Sequence, residues 1–324
     1  MAGGQERILK RRIKSIQSTK KITRAMELIA ASRIKKAEER TRAATPYANA
    51  LTDAVKDLAA ASGSMGSESP LLKPREQIKN VAQIVIAADR GLCGGYNYQI
   101  MRAGEGEIKE QTDLGRGYKL YTVGKKTLGY FRYRNYKIAQ NFTGFSERPT
   151  YEDAANIADE VTRAFVSGEI DEAQIVYTRY ISSGSQEVVV RPILPLDSEL
   201  LEGGDARPQV TDGSVPAQYE FEPNPNTLLE SLLPSYVRAR IYAALLNASA
   251  SELASRQRAM KSATDNAEEL ITGLSRIANR IRQESITSEI MEVVSGAESL
   301  RKGHKTGPEV VLAENYQDLA NVES

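Results

Sequence analysis

The glycine-rich run A-A-D-R-G-L-C-G-G-Y-N at residues 87–97 carries the residue types that could do chemistry. Glycines let backbone amides close on an anion, and such a run directly after a strand is where phosphate cradles are built. Neither G-x-G-x-x-G nor the Walker spacing is present, so a tight structural turn is the better reading. Cys93 is the only cysteine and His304 the only histidine. One cysteine forms no intrachain disulfide and no multi-thiolate metal site, and a histidine in a Gly-rich segment so late in the sequence has no central nucleophile to serve. Cys93 reads as a packed or simply accessible thiol, and the tyrosine-rich strip 118–136 as sheet and rim packing. No acid, base and nucleophile set emerges, and no cofactor or metal is implied.

The elements that must position these residues are unusual. Residues 1–61 hold strong helix formers and one proline, Pro46, which predicts one very long helix. Gly, Ser and Pro concentrate at 62–74 and mark a boundary. From 78 to 195, the β-rich runs at 81–88, 118–123, 174–180 and 188–194 alternate with helical patterns at 97–110, 125–132 and 151–167. That alternation predicts a layered α/β domain. Residues 196–225 read as an irregular connection, 226–301 as a second long helix, and 302–324 as a tail. Ordinary helices average about 11–12 residues, so two helices of this size demand a role beyond core burial.

Heptads supply one. Ala267, Ile271, Leu274, Ala278 and Ile281 are spaced 4, 3, 4, 3, and Ile286, Ile290, Val293, Ala297 and Leu300 repeat the series after a step of five. On the first helix, Leu9, Ile13 and Ile16 are followed, after a step of six, by Ile22, Met26 and Ile29. Such steps are expected to be slips in an antiparallel coiled coil that turn polar bands outward. Residues 1–42 also hold thirteen Lys or Arg against four Asp or Glu, although the whole chain carries a net charge of only +1. The basic residues are interleaved with Ile, Leu and Met, without an aromatic stacking set or a nucleic-acid motif. An acidic protein surface therefore fits better than nucleic acid.

Three blocks resemble the gamma subunits of F-type ATP synthases: K-S-I-Q-S-T-K-K-I-T-R-A-M-E-L-I-A-A-S at 14–32, the 87–97 run, and S-E-L-A-S-R-Q-R-A-M-K-S-A-T-D-N-A at 251–267 with N-R-I-R-Q-E-S-I-T-S-E-I-M-E-V-V-S-G-A at 279–297. The resemblance implies a long antiparallel coiled coil of terminal helices plus a central Rossmann-like α/β domain. It implies a central rotor stalk that couples ion flow through a membrane ring to cycling of catalytic beta subunits, without catalytic residues of its own. The implied partners are an alpha3beta3 hexamer, the epsilon subunit and the membrane c-ring, one copy per complex and no nucleic acid. By motif match, the beta-subunit contacts fall on Lys20, Lys21, Arg24, Met26, Arg256, Arg282, Gln283 and Thr287. Contacts with the rotor base fall on Asp89, Arg90, Cys93 and Asn97.

The sequence departs from the family pattern in R-Q-R at 256–258, which weakens a contact at Gln257, and in the tail after Leu300, expected to restrain reverse rotation and ATP hydrolysis. No apolar run reaches the roughly 18–20 residues of a membrane span, and the N-terminus lacks the short apolar stretch expected of a signal peptide. The expected location is peripheral, on the cytoplasmic side of the inner membrane. A standalone basic coiled-coil adaptor or nucleic-acid scaffold is the competing reading, to be separated by whether the chain depends on partners.

Overall fold

The computed structural model describes residues 2–61, 69–196, 222 and 224–303; the expected connection at 196–225, the tail and His304 lie largely or wholly outside them. Helix α1 spans Ala2–Ala61, continuing through Pro46. A five-stranded sheet follows, with β1 at Asn80–Ile86, β2 at Gly117–Val123, β3 at Ile138–Phe142, β4 at Glu172–Tyr180 and β5 at Gln186–Leu194. Helices α2 (Tyr96–Asp113), α3 (Lys125–Tyr133) and α4 (Tyr151–Val166) connect the strands, and α5 runs from Pro225 to Gly303. The chain forms two compact units: one is residues 21–265, the other joins the first twenty residues to the described residues from Asn266 onward.

In the larger unit the strand order is β3-β2-β1-β4-β5. Pairings are parallel except β4 with β5, which is antiparallel. β1 is buried along nearly its whole length because helices cover both faces, which explains why it reads as a continuous apolar run. Ala82, Ile84 and Ile86 face α4, residues 51–58 of α1 and residues 229–248 of α5. Val85 faces α2 and α3 on the other side, as the two-residue period of a strand requires. Gly104 lets α2 approach β1: a Cβ there would lie 2.8 Å from a Val85 methyl. α4 starts with a reciprocal cap in which the Asp153 amide donates to Thr150 Oγ1 at 3.2 Å and the Thr150 amide donates to the Asp153 carboxylate at 2.8 Å.

β3 is the strand missed in the sequence. It is a sheet-edge strand whose I-A-Q-N-F is mostly exposed, so neither burial nor alternation marks it.

The same unit contains an antiparallel helix pair. Ile34 and Ala37 of α1 pack with Ala250, Leu253 and Ala254 of α5, and earlier on α1 Thr23 meets Thr264, later on α5. Within the smaller unit, Leu9, Ile13, Ile16 and Lys20 form a half-buried stripe on α1. α5 contributes buried Ala267 and Ala278 there, with Ile271, Leu274 and Ile281 half-buried.

Both expected slips are corrected. On α1, Ile22 and Ile29 are 61% and 51% exposed, whereas Thr23, Glu27 and Ala30 are buried. The inward positions 9, 13, 16, 20, 23, 27, 30, 34 and 37 keep alternating steps of four and three, with Lys20, Thr23 and Glu27 holding places where apolar residues were sought. On α5, the stripe passes from Ile281 to half-buried Ser285, and Ile286 lies off it, 48% exposed. Polar members can occupy an inward seam where their groups are partnered. The second α5 series therefore does not form an intrachain seam: Ile286, Ile290, Met291, Val293, Val294 and Leu300 are all exposed.

Candidate functional site

The loop from residue 87 to 97 leaves β1 and enters α2. Gly124 makes room for it: φ there is 96°, and a Cβ would fall 2.3 Å from the Ala87 carbonyl oxygen. Asn97 closes the loop from inside. Its Oδ1 accepts from the Ala88 amide at 2.9 Å, and its Nδ2 donates to the Arg90 carbonyl at 3.2 Å and to Cys93 Sγ at 3.1 Å. Asp89 clamps two other loops to the first by accepting from the amides of Lys125 at 3.0 Å, after β2, and of Gly144 at 2.9 Å and Ser146 at 3.1 Å, after β3. Cys93 is buried. Burial first, and then the nearby Glu252 carboxylate, push its thiol above the ordinary range, which keeps it protonated and poorly nucleophilic. At the rim, Arg90 and Leu92 project outward, Leu92 with a left-handed φ of 63°.

Arg256 anchors this loop to α5. Its guanidinium donates to Glu252 at 2.6 Å and to Glu147 at 3.3 Å, and it reaches the Gly91 carbonyl at 3.5 Å. Glu147 also pairs with Arg33 and, at 3.6 Å, with Arg90. The Tyr96 hydroxyl donates to the Ala248 carbonyl at 3.0 Å. Burial pushes the Glu252 carboxyl up, opposed by Arg256. Sequence reasoning missed Glu147 and Glu252 because nothing in their local sequence distinguishes them from solvated carboxylates. The only available signal was the number of cations the fold had to neutralise.

Of the motif-matched positions in the larger unit, Lys21 and Arg24 are exposed, Met26 is half-buried and Arg256 is buried. Arg24 donates to Glu27 at 2.8 Å, while the second Glu27 carboxylate oxygen is buried without a hydrogen-bond partner. In the smaller unit, Lys20 is half-buried and forms an ion pair with Glu268 at 2.9 Å. Arg282, Gln283 and Thr287 are exposed, and the Thr287 hydroxyl donates to the Gln283 carbonyl of its own helix at 2.9 Å. The motif-matched residues are thus not gathered into one pocket. They divide into outward charged or polar groups and residues that hold the chain together. Among the described residues, no helix is long and apolar enough to cross a membrane.

The ATP synthase family model matches residues 5–300. The chain is 46% identical over 301 residues to an ATP synthase gamma chain of Kineococcus radiotolerans, covering 92% of this chain and 97% of the relative. It is likewise 46% identical over 308 residues to that of Mycolicibacterium smegmatis, with 91% and 97% covered. Among solved structures, the central stalk and c-ring assembly of the Tetrahymena thermophila mitochondrial ATP synthase contains a chain matching at TM-score 0.54 and 25% identity, covering 75% of this chain and 99% of that one. A chain of the Euglena gracilis mitochondrial enzyme shares the fold at TM-score 0.65 and 18% identity, covering 97% and 100%. By motif, sheet and long terminal helices alike, this chain belongs to the ATP synthase gamma chain family.

Proposed function

We propose that this gamma chain is the turning shaft of its ATP synthase, acting through the end of α5 within a sleeve of alpha and beta subunits. The observation that carries the reading is the run of exposed Ile286, Ile290, Met291, Val293, Val294 and Leu300 on one helix end. An apolar surface of this kind is stable in water only when another surface covers it. A sleeve that is apolar and close-fitting would permit rotation, since van der Waals contact has no directional bonds to break.

Lys21, Arg24, Arg282, Gln283 and Thr287 present the polar groups that meet the catalytic beta subunits, and Met26 adds an apolar side chain to the same contact. Lys20 and Arg256 act in the same contact by holding the helices that display those groups. The 87–97 loop, shaped by Asp89, Cys93 and Asn97 and exposing Arg90, contacts neighbouring rotor subunits, epsilon and the membrane ring. The chain does no covalent chemistry. Each orientation favours a different conformation of each beta site through differential contact, which is how a shaft without catalytic groups drives synthesis. The complex sits on the cytoplasmic face of the inner membrane, with this chain as a peripheral subunit.

The test is purification of the chain from its native membranes, with partner identification and an ATPase assay. Recovery with alpha, beta and epsilon, substoichiometric to beta, is expected. Recovery alone, or with nucleic acid that salt removes, overturns the reading. In the assembled enzyme, Lys21→Glu with Arg24→Glu is expected to uncouple ATP hydrolysis from ion pumping; unchanged coupling would remove these two residues from the torque contact.

A further inference from the structure

A cleft of about 780 Å³ opens in the larger unit at the carboxyl edge of the parallel strands. Asp89 and Arg90 follow β1, Lys125 follows β2, and residues 144–150 follow β3; α1 and α5 close the remaining sides. Open α/β sheets bind ligands in the crevice outside the carboxyl ends of their strands, near the point where the strand order reverses. Here the order reverses between β1 and β4, and the cleft lies beside that point, beyond the carboxyl ends of β1, β2 and β3.

The charge of the cleft is not balanced. Its three acidic residues are committed within the chain: Asp89 to three backbone amides, Asp153 to the α4 cap, and Glu147 to Arg33, Arg90 and Arg256. Lys36, Arg40, Lys125 and Arg148 line the same space. Among the described residues, none of these four side chains has a carboxylate or hydrogen-bond partner. Four uncommitted cations around one concave space raise the local potential well beyond that of a solvated face.

We propose that this cleft binds a small polyphosphate, the phosphate chain of a nucleotide or inorganic polyphosphate, as a ligand site on the rotor separate from shaft contacts. Arg40 and Arg148 can each offer two parallel N–H donors to phosphate oxygens, and Lys36 and Lys125 act as point charges. The volume suits a ligand of this size, and the polar lining selects charge over shape.

The full-length chain is titrated calorimetrically with sodium tripolyphosphate and, separately, with ATP. Saturable binding is expected, weakened at least tenfold by Lys36→Glu with Lys125→Glu and unchanged by Arg132→Glu with Lys137→Glu, two exposed cations elsewhere. Affinity for ATP similar to that for tripolyphosphate assigns the phosphate chain alone as the recognised group; ATP binding at least tenfold tighter assigns a nucleotide. As a readout independent of variants, tripolyphosphate should protect Lys36 and Lys125 from amine acylation where sodium chloride of equal ionic strength does not. Equal losses in both variant pairs, absent protection, or binding of an acidic peptide but not of tripolyphosphate each overturn the proposal. Co-purification with alpha and beta subunits is independent of all these outcomes.

Discussion

Thr23 and Thr264 stand 241 positions apart in sequence, yet their hydroxyl oxygens lie 2.8 Å apart in the buried seam of the helix pair. Thr264 also donates to the Met260 carbonyl at 2.8 Å. Each hydroxyl has one proton and two lone pairs, so the Thr264 oxygen serves both contacts. Thr23→Val or Thr264→Val alone should cost about 1–2 kcal/mol by breaking a buried hydrogen bond. The double substitution should cost less than the sum, and a double-mutant cycle by urea unfolding measures the difference. Simple additivity would show that the pair contributes nothing of its own.

Arg256 and Glu252 form a buried ion pair at 2.6 Å, with side chains 6% and 1% exposed. Arg256→Ala leaves an uncompensated buried carboxylate and should cost about 3–5 kcal/mol in equilibrium unfolding. Adding Glu252→Gln should restore a substantial part, since the orphaned charge is then gone. No recovery would place the cost in the contact with Glu147 instead.

Glu105 accepts from the hydroxyls of Tyr130 at 2.7 Å and Tyr136 at 3.0 Å, and from Arg134 at 3.3 Å. The Tyr130 bond foremost, then Tyr136 and Arg134, hold its carboxyl below the usual range against the opposing effect of burial. A folded pKa below the unfolded one means the stabilisation is complete above the ordinary carboxylate value of about 4.3 and is lost as pH falls through the lowered folded value. Glu105→Gln should lower stability at neutral pH by about 1–3 kcal/mol and flatten the acid limb of the stability profile. An acid limb identical to that of the unsubstituted chain would contradict this.

Gly124→Ala should destabilise by at least about 2 kcal/mol, because φ is 96° and the new methyl would meet the Ala87 carbonyl. Thermal unfolding checks it, and an unchanged midpoint would mean that the 87–97 loop tolerates displacement.

Cys93 is 1% exposed, and burial pushes its thiol up. Labelling by a thiol-specific disulfide reagent at pH 7 should be slower in the folded chain by roughly a hundredfold or more than in denaturant. Equal rates would show that the loop opens freely.

Much of this architecture was written locally. Runs of helix formers marked α1 and α5, and the apolar run at 81–88 marked the strand that helices cover on both faces, because these signals depend only on neighbours a few residues away. Position within the seam was not local. Ile22 and Ile29 satisfy an apolar search but face outward, while Lys20, Thr23 and Glu27 turn inward. Their acceptance depends on partners such as Glu268 and Thr264, more than two hundred residues distant. The same holds for the loop chemistry: D-R-G-L-C-G-G announced a turn, but Asp89 gathering amides from two other loops and Arg256 meeting Glu147 and Glu252 arise only when the strands align. Sequence alone determined which segments are helices and most of the strands, because backbone propensity and periodicity are short-range. The tertiary structure decided which charges are consumed internally and which remain free, because electrostatic partnership depends on distance in space.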